Sequence, residues 1–181
     1  MNKSKTTVDH LISADFVITM DFKYTLYTPG AVAVTGDSIV AVGPKEEILA
    51  AYQAQDILDA GNSVLMPGLV NTHGHAPMTL LRGLADDLRL DVWLMGYMMP
   101  VEREFVNPHF SWLGTQLAAA EMISSGTTTF MDMYYFEEAV ADASAQAGLR
   151  AVCAQSILKF PTPDSGSYDE SIERTRDFAA R

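Results

Sequence analysis

His73 and His75, on either side of Gly74, are the residues of this 181-residue chain whose types and spacing most directly suggest chemistry. Residues i and i+2 of a strand point to the same face, so both imidazoles can reach one ion. Imidazole nitrogen is a standard ligand of divalent zinc, and the intervening glycine lets the backbone approach closely. The same pair could instead be two hydrogen-bonding histidines in a turn, since a bare H-x-H is a weak pattern. Its position decides between these readings. The pair follows a nearly continuous apolar run at 63–70 (SVLMPGLV), so His73 and His75 are expected at the end of a strand, as metal ligands. Two imidazoles alone leave a tetrahedral zinc site underfilled.

Positioning such a pair requires a sheet, and the pattern of residues supplies one. Continuous apolar runs are typical of parallel strands covered on both faces. After the 63–70 run, Asn107-Pro108 opens a helix, with the asparagine as cap and the proline in the first helical position. Phe110, Leu113, Leu117, Ala120 and Ser124 predict its apolar stripe, and Gly126 its stop. A second strand is expected over 127–135, a second helix over 136–147 ended by Gly148, a third strand over 149–155 and a third helix over 168–181. Strand and helix alternating three times predict βαβ units with right-handed crossovers. Before them, residues 1–64 read as short strands and turns: a strand over 10–20, a hairpin of 31–34 with 38–42, a short helix at 45–52 and a turn at 59–62. Neither His10 nor His109 falls at the end of a strand of the second region, so neither is a candidate ligand.

The fold expected is therefore α/β: the first three βα units of a (β/α)8 TIM-type barrel, preceded by a small N-terminal β-sandwich segment. The boundary is expected between residues 64 and 65. A closed barrel of this kind takes about 250 residues, so 65–181 is read as a partial, truncated barrel belonging to a longer chain. In such barrels the active site lies at the C-terminal ends of the strands, where His73 and His75 would sit.

Composition excludes several classes. Lys plus Arg number 12 against 23 Asp plus Glu, a formal net charge of −11, which repels phosphate backbones and argues against nucleic-acid binding. No apolar run reaches the roughly 18 residues of a membrane span, and the start Met1-Asn2-Lys3-Ser4-Lys5-Thr6-Thr7 lacks the apolar stretch of a secretory signal. The single cysteine, Cys153, cannot form an internal disulfide and fits a reducing, cytoplasmic compartment. Flanked by Val152 and Ala154, it reads as a small core residue.

The stretch 66–83, MPGLVNTHGHAPMTLLRG, resembles the opening of the amidohydrolase superfamily. Within it, the likeness is greatest to the S-adenosylhomocysteine/5′-methylthioadenosine deaminase branch, near the triazine chlorohydrolases. It extends from the N-terminal β segment to about Gln155 and is most specific over 66–102. The resemblance implies one divalent metal, usually zinc, held by the H-x-H pair, a later histidine and a late aspartate. His73 and His75 match the first two. Such a metal lowers the pKa of its water from 15.7 to about 7, for attack on the amino-bearing carbon of a purine with loss of ammonia. The proton-transfer glutamate and histidine would lie past Arg181, so no catalytic residue is expected within these 181. The partners expected besides the substrate are a missing C-terminal segment or further copies of the chain in a homo-oligomer.

The same resemblance implies that Trp93 lines the substrate pocket and that Glu102 binds ribose hydroxyls. An indole offers a flat apolar surface to a purine or thioether, and a carboxylate accepts two directional hydroxyl bonds. The residues alone also allow a core tryptophan and a solvated glutamate beside Arg103. Gln155 departs from the pattern: it stands where these deaminases carry a substrate-contacting arginine, and glutamine loses the cation and the fork geometry. It is retained as a candidate substrate contact, or else a strand-end polar residue facing water. Asp132 could stand behind the metal ligands, but is expected to cap backbone amides. The expected function is hydrolytic deamination of an adenosine-type nucleoside, a small molecule. A hydrolase of a triazine, pterin or guanine-type ring is the enzymatic alternative, and a non-catalytic or assembly-dependent fragment the alternative of another class.

Overall fold

The computed structural model describes residues 4–181. The opening Met1, Asn2 and Lys3, read above as part of a start without a secretory signal, lie outside the described residues. The chain divides into two compact units, Met1–Pro67 and Gly68–Arg181.

The N-terminal unit holds β1 (Thr6–Ile18), β2 (Leu26–Tyr27), β3 (Gly30–Thr35), β4 (Ser38–Pro44), α1 (Lys45–Ala51) and β5 (Tyr52–Leu65). All five strands belong to one sheet, rather than to the two facing layers of a sandwich. The long β1 is antiparallel to β2 and β3 and parallel to β5. Val8 and Leu11 of β1, the alternate residues Ala31 and Ala33 of β3 and Ile48 of α1 close one core. The turn expected at 59–62 is instead a bulge within β5. Ala14 pairs with Ala60 but Phe16 with Val64, so β5 carries extra residues there. Asn62 adopts left-handed φ 58°, and its N–H donates to Asp15 Oδ2 at 3.1 Å. Turn-type residues thus serve a bulge, and the apolar run at 63–70 is split: 63–65 closes β5.

The second unit begins its sheet with β6 (Leu69–Asn71). A 3-10 turn follows at Ala76–Leu81. Then come α2 (Leu90–Val92), a π-helical stretch Trp93–Met98, α3 (Met99–Phe105), α4 (Pro108–Ser124), β7 (Thr127–Tyr134), α5 (Glu137–Ala147), β8 (Arg150–Gln155) and α6 (Tyr168–Ala179). The three strands are parallel, in the order β6-β7-β8. Along β7, Phe130, Asp132 and Tyr134 are buried while Met131 and Met133 are exposed. Gly126 and Gly148 end α4 and α5 with φ of 83° and 77°, values that suit glycine.

Asn107 caps α4 as expected, its side chain accepting from Phe110 N at 3.0 Å. The buried face of α4 differs from the predicted stripe: Leu113 and Leu117 are exposed, and Ser111, Gly114, Thr115, Ala118 and Ala119 are buried. Close approach explains the difference. A Cβ on Gly114 would lie 2.4 Å from the Pro77 carbonyl oxygen, so only glycine lets α4 sit against the 3-10 turn after His75. The buried hydroxyls are satisfied locally: Ser111 Oγ donates to Tyr135 O at 3.0 Å, and Thr115 Oγ1 to Ser111 O at 2.7 Å.

Candidate functional site

The two histidines lie just past the C-terminal end of β6, with ring centroids 5.2 Å apart and planes nearly perpendicular. The loop carrying them rests on the end of β7. Met133 N donates to Gly74 O at 3.3 Å, and His75 Nδ1 lies 2.7 Å from Met133 O. A carbonyl can only accept, so Nδ1 carries a proton, and in the neutral ring Nε2 then holds the lone pair that ligates a metal. Between the rings, a Cβ on Gly74 would lie 3.1 Å from Met131 O, which accounts for the glycine. Beside the loop is a hollow of about 370 Å³ lined by Asn71, Gly74, His75, Ala76 and Asp132 among others.

Zinc requires four ligands, commonly nitrogen or sulfur. His73 and His75 fit half of that set in type, proximity and, for His75, tautomer. Among the described residues no group of three or more His, Cys, Asp and Glu is placed to hold a metal ion. The other histidines have other partners: His10 Nδ1 meets Asp56 Oδ2 at 2.7 Å, and His109 stacks on Trp112 with centroids 6.1 Å apart.

Glu102, on α3, is buried, and its Oε1 accepts from Tyr134 OH at 2.9 Å. Burial pushes its pKa above the usual carboxylate value, opposed by the Tyr134 hydrogen bond, by His75 and by Tyr135. Glu102 and His75 thus belong to one electrostatic neighbourhood. Trp93 is half-buried against a separate hollow of about 300 Å³, lined also by Met78, Arg82, Asp86 and Met98. The methionines there are packing groups, as zinc ligand preferences suggest.

Gln155, at the end of β8, is buried rather than facing water. Its Nε2 donates to Asp164 Oδ2, whose carboxylate also accepts from Phe136 N at 3.0 Å and Thr162 Oγ1 at 2.8 Å. Among the described residues, Gln155 Oε1 has no hydrogen-bond partner. The structure therefore joins Gln155 to Asp164, and not to the histidines. Phe136, between β7 and α5, adopts the left-handed conformation at φ 58°, and Asp164 secures its amide.

Sequence reading missed two residues here. Tyr134 was only part of a strand, and its partner Glu102 is 32 positions away. Glu137 lay unremarked within the helix expected over 136–147; it is fully buried, and burial, then the Asp132 charge and hydrogen bond, raise its pKa to about 9. Asp132, expected to cap backbone amides, accepts from Ala76 N at 2.5 Å. The Cys153 thiol is half-buried and pushed up to about 12 by burial, then by Glu137 and Asp132, so it is not a reactive thiolate.

A family model described as the amidohydrolase family matches residues 64–181, and one described as a bacterial imidazolonepropionase-like composite domain matches 30–52. The chain is 45% identical over 173 residues to a 5-methylthioadenosine/S-adenosylhomocysteine deaminase of Syntrophobacter fumaroxidans, covering 96% of this chain and 39% of that protein. A protein of the same name from Saccharophagus degradans is 44% identical over 171 residues, covering 94% of this chain and 38% of its own length. The chain thus spans about two-fifths of the curated relatives it matches. Among solved structures, an adenosine deaminase from Xanthomonas campestris with bound zinc superposes with a TM-score of 0.92 at 39% identity, over 96% of this chain and 40% of that one. The atrazine chlorohydrolase of Arthrobacter aurescens, complexed with zinc, gives 0.80 at 18% identity over 95% and 43%, a likeness of fold alone.

Proposed function

The chain belongs to the amidohydrolase family, and on that premise we propose that it is the N-terminal part of a metal-dependent deaminase that releases ammonia from S-adenosylhomocysteine or 5′-methylthioadenosine. The observation that carries this reading is the pair His73 and His75, held side by side at a strand end with His75 Nδ1 turned to Met133 O and Nε2 left as the ligating nitrogen. In this reading β6, β7 and β8 are the first three strands of a (β/α)8 barrel, with the N-terminal β segment ending near residue 64. The protein works in the cytoplasm.

His73 and His75 would hold one zinc ion, whose chemistry is to acidify a water to near neutrality. Glu102 accepts ribose hydroxyls, with Tyr134 fixing Oε1 and holding the carboxylate in place. Trp93 offers its ring face to the purine or thioether. Gln155 contributes at most Oε1, since its amide nitrogen is bound to Asp164. The remaining ligands and the proton-transfer glutamate and histidine come from the part of the relatives' length that this chain does not span.

Gln155 in place of an arginine favours one second reading: the same architecture acting on a triazine, pterin or guanine-type ring. The two-histidine half-site also supports a chain that, on its own 181 residues, binds metal weakly and does not catalyse. The deciding experiment reads the coding frame past Arg181, then measures ammonia release from both nucleosides and from ring competitors, with zinc content alongside. About one zinc per chain and preference for the thioether nucleosides support the proposal. A stop codon after Arg181, or release only from a triazine, pterin or guanine, overturns it.

A further inference from the structure

The loop of the two histidines is bonded to two consecutive residues of β7. Asp132 Oδ1 accepts from Ala76 N, while Met133 takes Gly74 O through its N–H and His75 Nδ1 through its carbonyl. Ala76 is 7% exposed and Asp132 is 0% exposed, so their bond is made away from water, and nothing in solvent can replace it. The Met133 contacts depend on the loop lying flat against the strand, where a Cβ on Gly74 would come within 3.1 Å of Met131 O. The Asp132 carboxylate is the one side chain that β7 contributes to this set. It pins the residue immediately after His75 and thereby keeps the His75 ring over Met133 O.

We propose that Asp132 is a positioning residue, which fixes His75 as the Nδ1–H tautomer and presents Nε2 to the metal by anchoring the amide of Ala76. This rests on the reading of His75 as a ligand, but the tautomer can be measured without any metal. Free neutral histidine favours the Nε2–H tautomer, so the Nδ1–H form is a signature of the Met133 bond and not of folding in general.

Long-range proton–nitrogen spectra of the 181-residue chain, metal-free and mildly alkaline, report each histidine's tautomer. The expected result is Nδ1–H for His75 in the wild type, with slow exchange of the Ala76 amide. Asp132→Ala should return His75 to the Nε2–H form, speed Ala76 exchange and weaken zinc binding about 10–100-fold. Asp132→Asn, whose Oδ1 still accepts, should restore both signatures. If Asp132→Ala loses the fold, Asp132→Leu fills the space without an acceptor and is expected to behave alike. An Nε2–H His75 in the wild type, or an unchanged tautomer and exchange rate in a folded Asp132→Ala or Asp132→Leu chain, overturns the inference. Zinc content of the full-length protein separates the two proposals: a full-length wild type that takes up none refutes the ligand reading, while the tautomer result still decides the role of Asp132.

Discussion

Tyr134 OH donates to Glu102 Oε1 at 2.9 Å, tying the last residue of β7 to the middle of α3. Both side chains are buried. Burial, then the Glu102 charge, raises the Tyr134 pKa above the ordinary phenol value, so the hydroxyl keeps its proton and remains a donor. A buried carboxylate without a donor would favour its protonated form; this hydroxyl is the largest influence opposing that shift.

Tyr134→Phe should therefore raise the Glu102 pKa further and destabilise the chain by about 1–3 kcal/mol near neutral pH, the range for a buried group left unpaired. Urea unfolding measures it. The loss should shrink in acid, where a protonated Glu102 no longer needs the donor. A loss independent of pH would show that Tyr134 acts only by packing.

Glu137 predicts a pH dependence. Among the described residues no other group donates a hydrogen bond to either Glu137 oxygen or to Asp132 Oδ2, so the two carboxyl groups fit together with a proton shared between them. With an ordinary value of 4.5 and a folded value of about 9, the folded chain binds more protons than the unfolded chain throughout that window. Stability is full below 4.5 and falls as pH rises toward 9, by at most about 1.4 kcal/mol per pH unit for one proton. Glu137→Gln, whose amide donates at every pH, should flatten this slope. Unfolding free energies with the wild-type slope in Glu137→Gln would refute the assignment.

What the residues disclosed and what they hid have separate causes. The H-x-H pair, the Asn107 cap and the glycine stops were legible because each depends on local chemistry. The face of α4 was not, because Gly114, Ser111 and Thr115 are buried by backbone proximity and internal hydrogen bonds, not by hydrophobicity. The same holds for Glu137, whose burial depends on Asp132 of β7 lying beside it. The 59–62 turn failed because turn residues also serve bulges, and only the partner strand β1 distinguishes them. Gln155 was placed correctly at a strand end, but its partner Asp164 lies in a loop that carries no pattern.

Gly114→Ala tests the packing on which the histidine loop depends. Its Cβ would meet backbone rather than a movable side chain, at 2.4 Å from Pro77 O and 2.8 Å from Pro77 Cα. A loss of about 1–3 kcal/mol is expected for such overpacking, outweighing the gain of a few tenths to one kcal/mol that Gly→Ala gives elsewhere in a helix. Thermal denaturation should show a lowered Tm; a raised one would mean that α4 shifts freely.

Asp164→Ala should cost about 3 kcal/mol. It removes the acceptor for Gln155, Phe136 N and Thr162, and strips Arg174 Nε of its carboxylate at 3.5 Å. Arg174 retains Glu138 at 2.8 Å and its place over the Phe136 ring, which limits the loss. Urea unfolding of Asp164→Ala and Asp164→Asn separates charge from geometry. Asparagine still accepts from Phe136 N, so it should recover about half of the loss; no recovery would assign the whole effect to charge.

The sheet of the second unit leaves Met131, Met133 and Val152 exposed at 45%, 44% and 54% on one face. Among the described residues, β6 and β8 each pair only with β7. An apolar face flanked by open edges favours association, while the net charge of −11 opposes it. That repulsion is screened beyond about 10 Å at 0.1 M salt, whereas burial of apolar surface is not weakened by salt. Sedimentation of the 181-residue chain should therefore show self-association that strengthens with concentration and with added salt. Met131→Glu should reduce it by placing charge on the face itself. A monomer at every salt concentration, melting reversibly, would mean that this face is stable in water.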